Sequence, residues 1–421
     1  MNSLIGTVHM IFQIIIWIAI PLGLYQFLIS MFSFGKAPSL NLATERHHHF
    51  AVLICARNEE NVLGNLIGSL DQQQYPRDMY DIFVVADNCE DHTADIARNS
   101  GTIVYERSDP DRQTKGYAMN WFFNKFRQDY PGVYDACVVF DADNVVDPGF
   151  LAAVNRQLCA GKKVAVGYRL GKNPSDTWIS GTSSIFWLMQ SRFFFLPRLR
   201  LGLSCCSAGG TGFMFRLDVL GANGWETQSL CEDIEFALQN IEKGNDVSYA
   251  YDAVFYDEQP ETLCQSIKQR YRWAVGTIQI LKLNLPGLLR AVIKEHRWKA
   301  IDGIIFIISL PCMAITAISS TFLFFLPPAA SIISPEFWFN LGLIIAWSYV
   351  SLLILCILTL LLEHNKFPSM AKAIFTYPIY IFTSLVINII VLFYRKKTWY
   401  KIPHSRSMSI EEAEHERSAR E

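Results

Sequence analysis

Four stretches of this chain are longer and more apolar than the core helices of a soluble domain. Residues 10–34, 303–326, 337–362 and 373–394 carry no central charge, and each exceeds the roughly 20 apolar residues that cross a bilayer. Pro21, Pro311 and Pro378 fall inside three of them. Membrane helices tolerate proline because neighbouring helices satisfy the backbone groups it frees. The chain is therefore expected to sit in a membrane. Its first run has too long an apolar stretch for a signal peptide, no basic residues before it and no clear small-residue cleavage site after it. It reads as a retained anchor.

The apolar surplus is concentrated: of 421 residues 51% are hydrophobic and 18% charged, yet residues between the first run and position 300 have soluble character. A net charge of -2 gives no basic surplus for holding nucleic acid. The ten cysteines include the adjacent pair Cys205 and Cys206 but no C-x-x-C spacing, which fits reduced thiols on the cytosolic side better than a disulfide framework. The run "RHHH" (46–49) has no matching ligand cluster elsewhere and reads as interfacial surface.

Two periodicities alternate through the first half of the soluble segment. "FAVLICA" (50–56), "DIFVVAD" (81–87), "TIVYE" and "ACVVFDAD" (136–143) are short apolar runs of strand type. Between them, Asn61–Leu70, Asp91–Asn99 and Lys115–Phe126 carry helical patterns. Such alternation predicts an α/β fold with a mostly parallel sheet covered by helices on both faces. In such sheets ligands bind beyond the carboxyl ends of the strands. Asp87, Asp141 and Asp143 all stand there.

The expected organisation is an anchor over 1–35, a soluble domain over 48–277, an interfacial amphipathic segment over 278–300, a membrane region of about three spans over 301–395 and a basic-then-polar tail over 396–421. Residues 178–200 combine aromatics with Arg192, Arg198 and Arg200, and 279–299 combine Leu and Ile with Lys and Arg. Both segments read either as interfacial helices or as packing on the soluble core. The tail 407–421 is polar and expected to be mobile. Residues 1–9 lack Lys and Arg, whereas Lys36 and Arg46 follow the first run, so the N-terminus is expected outside and the soluble domain inside. The loop 327–336 has no Lys or Arg and fits an external position. A fourth full crossing would then put Arg395, Lys396, Lys397 and Lys401 outside. Either the last run is re-entrant, broken at Pro378, or the charge bias is overridden.

"FDADN" (140–144) places Asp141 and Asp143 on one face of an extended chain. Two such carboxylates repel unless a divalent cation compensates them, and hard oxygen ligands completed by phosphates suit Mg²⁺ or Mn²⁺; the alternative is a solvated acidic turn. "CED" (231–233) sets Glu232 and Asp233 at the start of a helix, where neighbouring side chains diverge by about 100°. One carboxylate can then enter a site as a general base while the other turns away, or both merely complement the helix dipole. "ARNEE" (56–60) brings Arg57, Asn58 and Glu59 to a loop after a strand, where they either cap the next helix or meet a ligand. Lys115 stands near a helix start, where phosphate can bind. "SAGGTGF" (207–213) lets a ligand approach the backbone. In "QRYRW" (269–273), Gln269, Arg272 and Trp273 fall on one helical face: an amide, a planar cation and a flat ring, suited to an anion and a sugar.

In chain order, Asp87, Asp141–Ala142–Asp143, Cys231–Glu232–Asp233 and Gln269–Arg270–Tyr271–Arg272–Trp273 resemble the D, D-x-D, (T/G)-(E/D)-D, Q-x-x-R-W series of processive family-2 glycosyltransferases, the cellulose, chitin and hyaluronan synthases. The resemblance covers roughly residues 50–300, and Cys231 departs from the usual Thr or Gly. It implies a GT-A fold on the cytosolic face of a plasma membrane, binding a UDP-sugar. Asp87 and Asp141 would contact the uridine, with Arg57, Asn58, Glu59 and Lys115 completing the nucleotide site. Asp143 would hold Mg²⁺ or Mn²⁺ on the diphosphate and Arg272 would pair with the pyrophosphate. Asp233 would be the base of an inverting, β-linking transfer, while Gln269, Trp273 and Glu232 would take the acceptor. The resemblance thus implies an enzyme that extends a β-linked polysaccharide, its acceptor a growing glycan, and couples this to export; the alternative is a single-addition glycolipid enzyme like the ceramide glucosyltransferases that share the motif series, with a lipid acceptor. "WYKIPHSR" (399–406) resembles the gating segment of the polymer synthases, and reads equally well as a basic juxtamembrane stretch. Membrane lipids are the remaining expected partners; no oligomeric state is implied.

Overall fold

A computed structural model describes residues 2–38, 40, 46–325, 334–364, 367–395 and 406–420. The soluble segment opens as expected: β1 (Phe50–Ala56), α2 (Leu63–Asp71), β2 (Tyr80–Asp87), α3 (Thr93–Asn99), β3 (Ile103–Arg107), α4 (Lys115–Asp129) and β4 (Ala136–Asp141) follow α1 (Asn2–Ser30). The chain continues through β5 (Val145–Val146), α5 (Phe150–Cys159), β6 (Val164–Gly171), α6 (Trp178–Met189), α7 (Leu196–Arg200), β7 (Phe213–Arg216), α8 (Glu232–Glu242) and β8 (Val247–Asp257). All eight strands form one sheet in the order β3-β2-β1-β4-β7-β6-β8-β5.

The first four strands are parallel, with β1 central: Phe50 stands opposite Tyr80 of β2 and Ala136 of β4. Successive side chains of β1 enter opposite layers. Ala51 and Leu53 pack with Phe122, Phe123 and Phe126 of α4, while Phe50, Val52 and Ile54 pack with Leu63, Leu66, Ile67 and Leu70 of α2. Burial on both faces explains why this strand reads as a continuous apolar run. Beyond β4 the sheet is mixed, because β7 runs antiparallel to both β4 and β6. The histidine run lies before β1, at the end of the sheet opposite the strand carboxyl ends. There His48 meets Asn155 and Arg46 pairs with Asp135, so these residues brace the soluble domain.

Helix α9 (Leu263–Ile293) starts at a capping box, with Thr262 Oγ1 accepting the Gln265 N–H. It runs unbroken through the boundary expected at 277/278. Three further long helices follow: α10 (Ala300–Phe325), α11 (Pro335–Leu362) and α12 (Phe367–Phe393). Among the described residues, Met10–Ser33, Pro335–Leu362 and Met370–Phe393 are long and apolar enough to cross a membrane, and Ala300–Ser309 with Pro311–Ser320 forms a pair bent by 43°.

Three arginines between α6 and the end of α7 grip these helices. Arg200 donates to the backbone carbonyls of Phe32, Phe34 and Lys36, just past α1. Arg198, 1% exposed, makes a bidentate pair with Asp302 of α10 at 2.7 and 2.8 Å. Arg192 donates to Glu363 at the end of α11 at 2.6 Å. The segment 178–200 is thus a clamp between the soluble domain and the long apolar helices.

The tail differs from expectation. Helix α13 (Ile410–Arg420) is docked rather than mobile: Met408, Ile410 and Ala413 are buried, and Gln72 donates to Glu411 at 2.8 Å. The polar composition is real, but an apolar residue on one face suffices to seat each turn. Of the segment 399–406, only Arg406 lies within the described residues.

Candidate active site

The carboxyl ends of β1, β2 and β4 open onto one cavity of about 1400 Å³. Arg57 and Glu59 line it after β1, Asp87 closes β2 and Asp141 closes β4. Asn58 acts locally. At φ 53°, its Oδ1 accepts the Glu90 N–H at 2.7 Å and ties two loops together. Arg57 donates to Gln113 at 3.0 Å. Asp87 accepts from Arg107 Nη1 at 2.5 Å in a pair that is almost wholly buried. Burial pushes the Asp87 carboxyl up, against the pull of Arg107.

Strand β4 stops at Asp141, and Asn144 N–H turns back to the Asp141 carbonyl at 3.1 Å. Asp141 and Asp143 therefore reach the cavity from a turn rather than from one strand face. Lys115 Nζ sits 2.5 Å from Asp141 Oδ1 and 2.8 Å from the Gly210 carbonyl. Burial alone would lower the Lys115 amine, but the charges of Asp141 and Glu232 outweigh it and raise it. Asp143 is 4% exposed and its backbone carbonyl accepts from buried Lys172 at 2.9 Å. Asn144 donates both to Asp257, at 2.9 Å, and to Asp143, at 3.4 Å. No group of three or more His, Cys, Asp and Glu side chains suited to a metal stands among the described residues.

The glycine-rich loop supplies close approach. Gly209, Gly210 and Gly212 have φ of 76°, 79° and 63°, and a Cβ on Gly212 would lie 2.1 Å from the Phe255 ring; only glycine fits there. Ser207 in this loop donates to Asp233 Oδ2 at 2.9 Å. Glu232 and Asp233, the first two residues of α8, both line the cavity. Burial, then the Asp233 charge, raises the Glu232 carboxyl to about 7, against Lys115 and Arg272.

From α9, Gln269, Arg272 and Trp273 line the same cavity, while Arg270 turns away to the Tyr380 carbonyl, Thr383 and Ser384 of α12. Arg272 Nε is buried with no hydrogen-bond partner among the described residues. Trp273 stacks on Phe186 at 6.2 Å and meets Trp187 edge-on at 5.8 Å. The approach of α8 to α9 depends on Gly276, where a Cβ would fall 2.4 Å from Cys231 Sγ. Cys231 is thus a small side chain seated in a glycine notch.

Sequence reasoning missed Arg107, Asn144, Arg169 and Asp257. Arg169 lies over the Trp187 ring at 3.9 Å and 3.5 Å from Asp257. Arg107 and Asp257 do end strands, the one signal that could have found them. The cavity continues between the long helices, walled by Leu22 and Phe27 of α1, Phe306 and Met313 of α10, Leu358 of α11 and Leu385 of α12.

Residues 47–276 match the family model described as "Glycosyltransferase like family 2". The chain is 26% identical over 245 residues to the probable glycosyltransferase YdaM of Bacillus subtilis (strain 168), covering 54% of each chain. It is 26% identical over 241 residues to the beta-monoglucosyldiacylglycerol synthase of Trichormus variabilis (strain ATCC 29413 / PCC 7937), covering 54% of this chain and 49% of that one. It thus spans about half the length of these relatives. A mannosyltransferase from Pyrobaculum calidifontis, solved with GDP-Man and Mn2+, superposes with a TM-score of 0.59 at 16% identity, over 91% of this chain and 99% of that one. That likeness gives the sheet its fold type, GT-A. With more than half of its length matched, this chain belongs to glycosyltransferase family 2.

Proposed function

We propose that the chain is an inverting, metal-dependent glycosyltransferase that moves a sugar from a nucleoside-diphosphate donor to the hydroxyl of a membrane lipid. The observation that carries this reading is the single cavity that runs from the acidic cluster into an apolar chamber between α1, α10, α11 and α12. A lipid chain can bury itself against such walls, whereas a hydroxyl-rich glycan would leave its hydrogen bonds unmet there. The diacylglycerol-based product in the name of the Trichormus relative points the same way.

In this reading Asp87, Arg57 and Glu59 receive the nucleoside, a uridine in the first instance, and Asn58 holds the loop that presents them. Lys115 and Asp141 meet the diphosphate as a preformed pair. Asp143 fits a divalent cation as a protein ligand, since Mg²⁺ and Mn²⁺ sites of this kind take one or two carboxylates and fill up with substrate phosphates. When bound, Mg²⁺ or Mn²⁺ supplies positive charge where the leaving group gathers negative charge.

Gln269, Glu232 and the Trp273 ring position the acceptor. Asp233, fixed by Ser207, takes the acceptor hydroxyl proton. The freed oxygen bonds to C1 of the sugar as the C1–O bond to the diphosphate breaks on the opposite side. Arg272, whose Nε lacks a partner among the described residues, and Lys115 meet the charge of the departing diphosphate. The basic residues after the first span favour a cytoplasmic catalytic domain at a plasma membrane.

The test is product chemistry. The full chain in lipid vesicles is given radiolabelled UDP-sugars and GDP-mannose, with Mn²⁺ or Mg²⁺, and the products are partitioned and sized. A labelled lipid carrying one sugar is expected in the organic phase. A water-soluble product that lengthens with time would overturn the lipid acceptor in favour of polysaccharide extension.

A further inference from the structure

Helix α12 is long and apolar enough over Met370–Phe393 to cross a membrane, yet both of its flanks are tied to the same sheet. Just before it, Glu363 accepts from Tyr251 of β8 at 3.0 Å, from Tyr168 of β6 and from Arg192. After it, Arg406 N–H donates to Glu258 at 3.2 Å and its guanidinium pairs with Asp176 at 2.9 Å. Glu258 directly follows β8, so the anchors before and after α12 stand on one strand of the catalytic domain.

We propose that α12 does not cross the bilayer but lies in the plane of the leaflet next to the catalytic domain, with one of its faces against the acyl chains. The helix is continuous through Pro378 from Phe367 to Phe393, about 40 Å of axis. A continuous helix cannot enter and leave on one side unless it lies flat. If it crossed instead, the eleven peptide steps from Arg395 to Arg406 would have to re-cross. Fully extended they reach about 40 Å, but an extended strand in hydrocarbon leaves its N–H and C=O groups unpaired.

The packing agrees. Ala373 sits against Gly181 of α6, where a Cβ would be 2.6 Å away. Tyr380 and Ser384 meet Arg270, and Ile387 and Val391 pack on Ala274 and Val275 of α9. Arg270 is two residues from Arg272 in the active site, so the middle of α12 shares the depth of the catalytic cavity, not that of the bilayer centre. The opposite face exposes Phe375, Ile379, Phe382, Val386, Ile390 and Phe393, spaced by three and four residues as one helical stripe. Lys372 and Arg395, exposed at the two ends, suit anionic headgroups. Helix α12 packs against α10 and α11, which themselves expose large apolar side chains such as Met313 and Trp347. The occupant is therefore the near leaflet, and α1, α10 and α11 are the three crossings. This places Arg395 on the domain side and removes the conflict with the charge bias.

Two measurements on the full chain in sealed vesicles test this. Protease-cleavable tags are placed before Met1 and after Glu421, and their protection is compared with that of the catalytic domain. The tag after Glu421 should share the domain's sidedness and the tag before Met1 should oppose it; a tag after Glu421 on the opposite side from the domain overturns the proposal. Separately, a fluorophore is attached to Phe382→Cys, with exposed Cys159 and Cys264 changed to serine. It should be quenched more by lipids brominated just below the headgroup than by lipids brominated at the chain ends. The reverse order, or one matching a label at Val350→Cys in mid-α11, overturns it.

Discussion

At the scale of single residues, the proton-taking role proposed for Asp233 separates from its neighbour's. Asp233→Asn keeps the shape and the Ser207 contact but cannot accept the proton. Transfer is expected to fall by about 10²–10⁴-fold, the usual worth of a general base, with nucleotide binding nearly unchanged by calorimetry. Unreduced turnover would assign the base elsewhere. Glu232 carries a pH signature instead. Burial and the Asp233 charge push its folded-state carboxyl up to about 7 from the ordinary 4.5. The folded state therefore holds the extra proton between those values, and stability falls as pH rises through that window. Glu232→Gln should flatten the melting temperature between pH 5 and 8 and stabilise the protein at pH 8 by up to about 3 kcal/mol; an unchanged slope would mean the carboxyl is already ionised at pH 5. The acids that line the cavity were legible because strand carboxyl ends are where such sheets bind ligands. Asn144 and Arg169 were not, because each acts through a partner distant in sequence: Asn144 spans to Asp257 and Arg169 stacks on Trp187.

At the scale of elements, the clamp from Arg192 to Arg200 shows what amphipathic composition conceals. Basic and aromatic residues in one segment suggest a helix lying on lipid, but Arg192 and Arg198 are buried against acids that end or begin long apolar helices. Sequence periodicity locates helices; it does not say which arginine will find Asp302, roughly a hundred residues away. Arg198→Ala would strand Asp302, 2% exposed, without its cation, a loss of about 3–5 kcal/mol. Thermal unfolding in detergent reads this directly. The double variant Arg198→Met with Asp302→Leu removes both charges and should recover most of that loss, since buried pairs are often replaceable by apolar side chains. A double variant as weak as the single one would show that Arg198 matters mainly through its contacts with Phe194 and Gln26. The strand–helix alternation was readable because β1 to β4 are buried on both faces; the docked tail was not, because only Met408, Ile410 and Ala413 carry its burial.

At the scale of the whole molecule, the proposed function sets donor chemistry and acceptor supply at two ends of one cavity. Acids at the strand ends line one end, and the helices α1, α10, α11 and α12 wall the apolar end. The two ends should therefore fail separately. Ser309 on α10 lines the chamber beside the bend of 43°. Its hydroxyl is satisfied within its own helix by the Ile305 carbonyl at 2.6 Å, so no contact with the catalytic domain depends on it. Ser309→Phe fills the chamber with a ring. Transfer to a long-chain lipid acceptor should drop at least tenfold, mostly through KM, while slow hydrolysis of the donor and nucleotide affinity persist. A short-chain acceptor, which needs less of the chamber, should recover part of the rate. If long and short acceptors lose rate equally, the ring acts by distorting the site and the chamber is not the acceptor's seat.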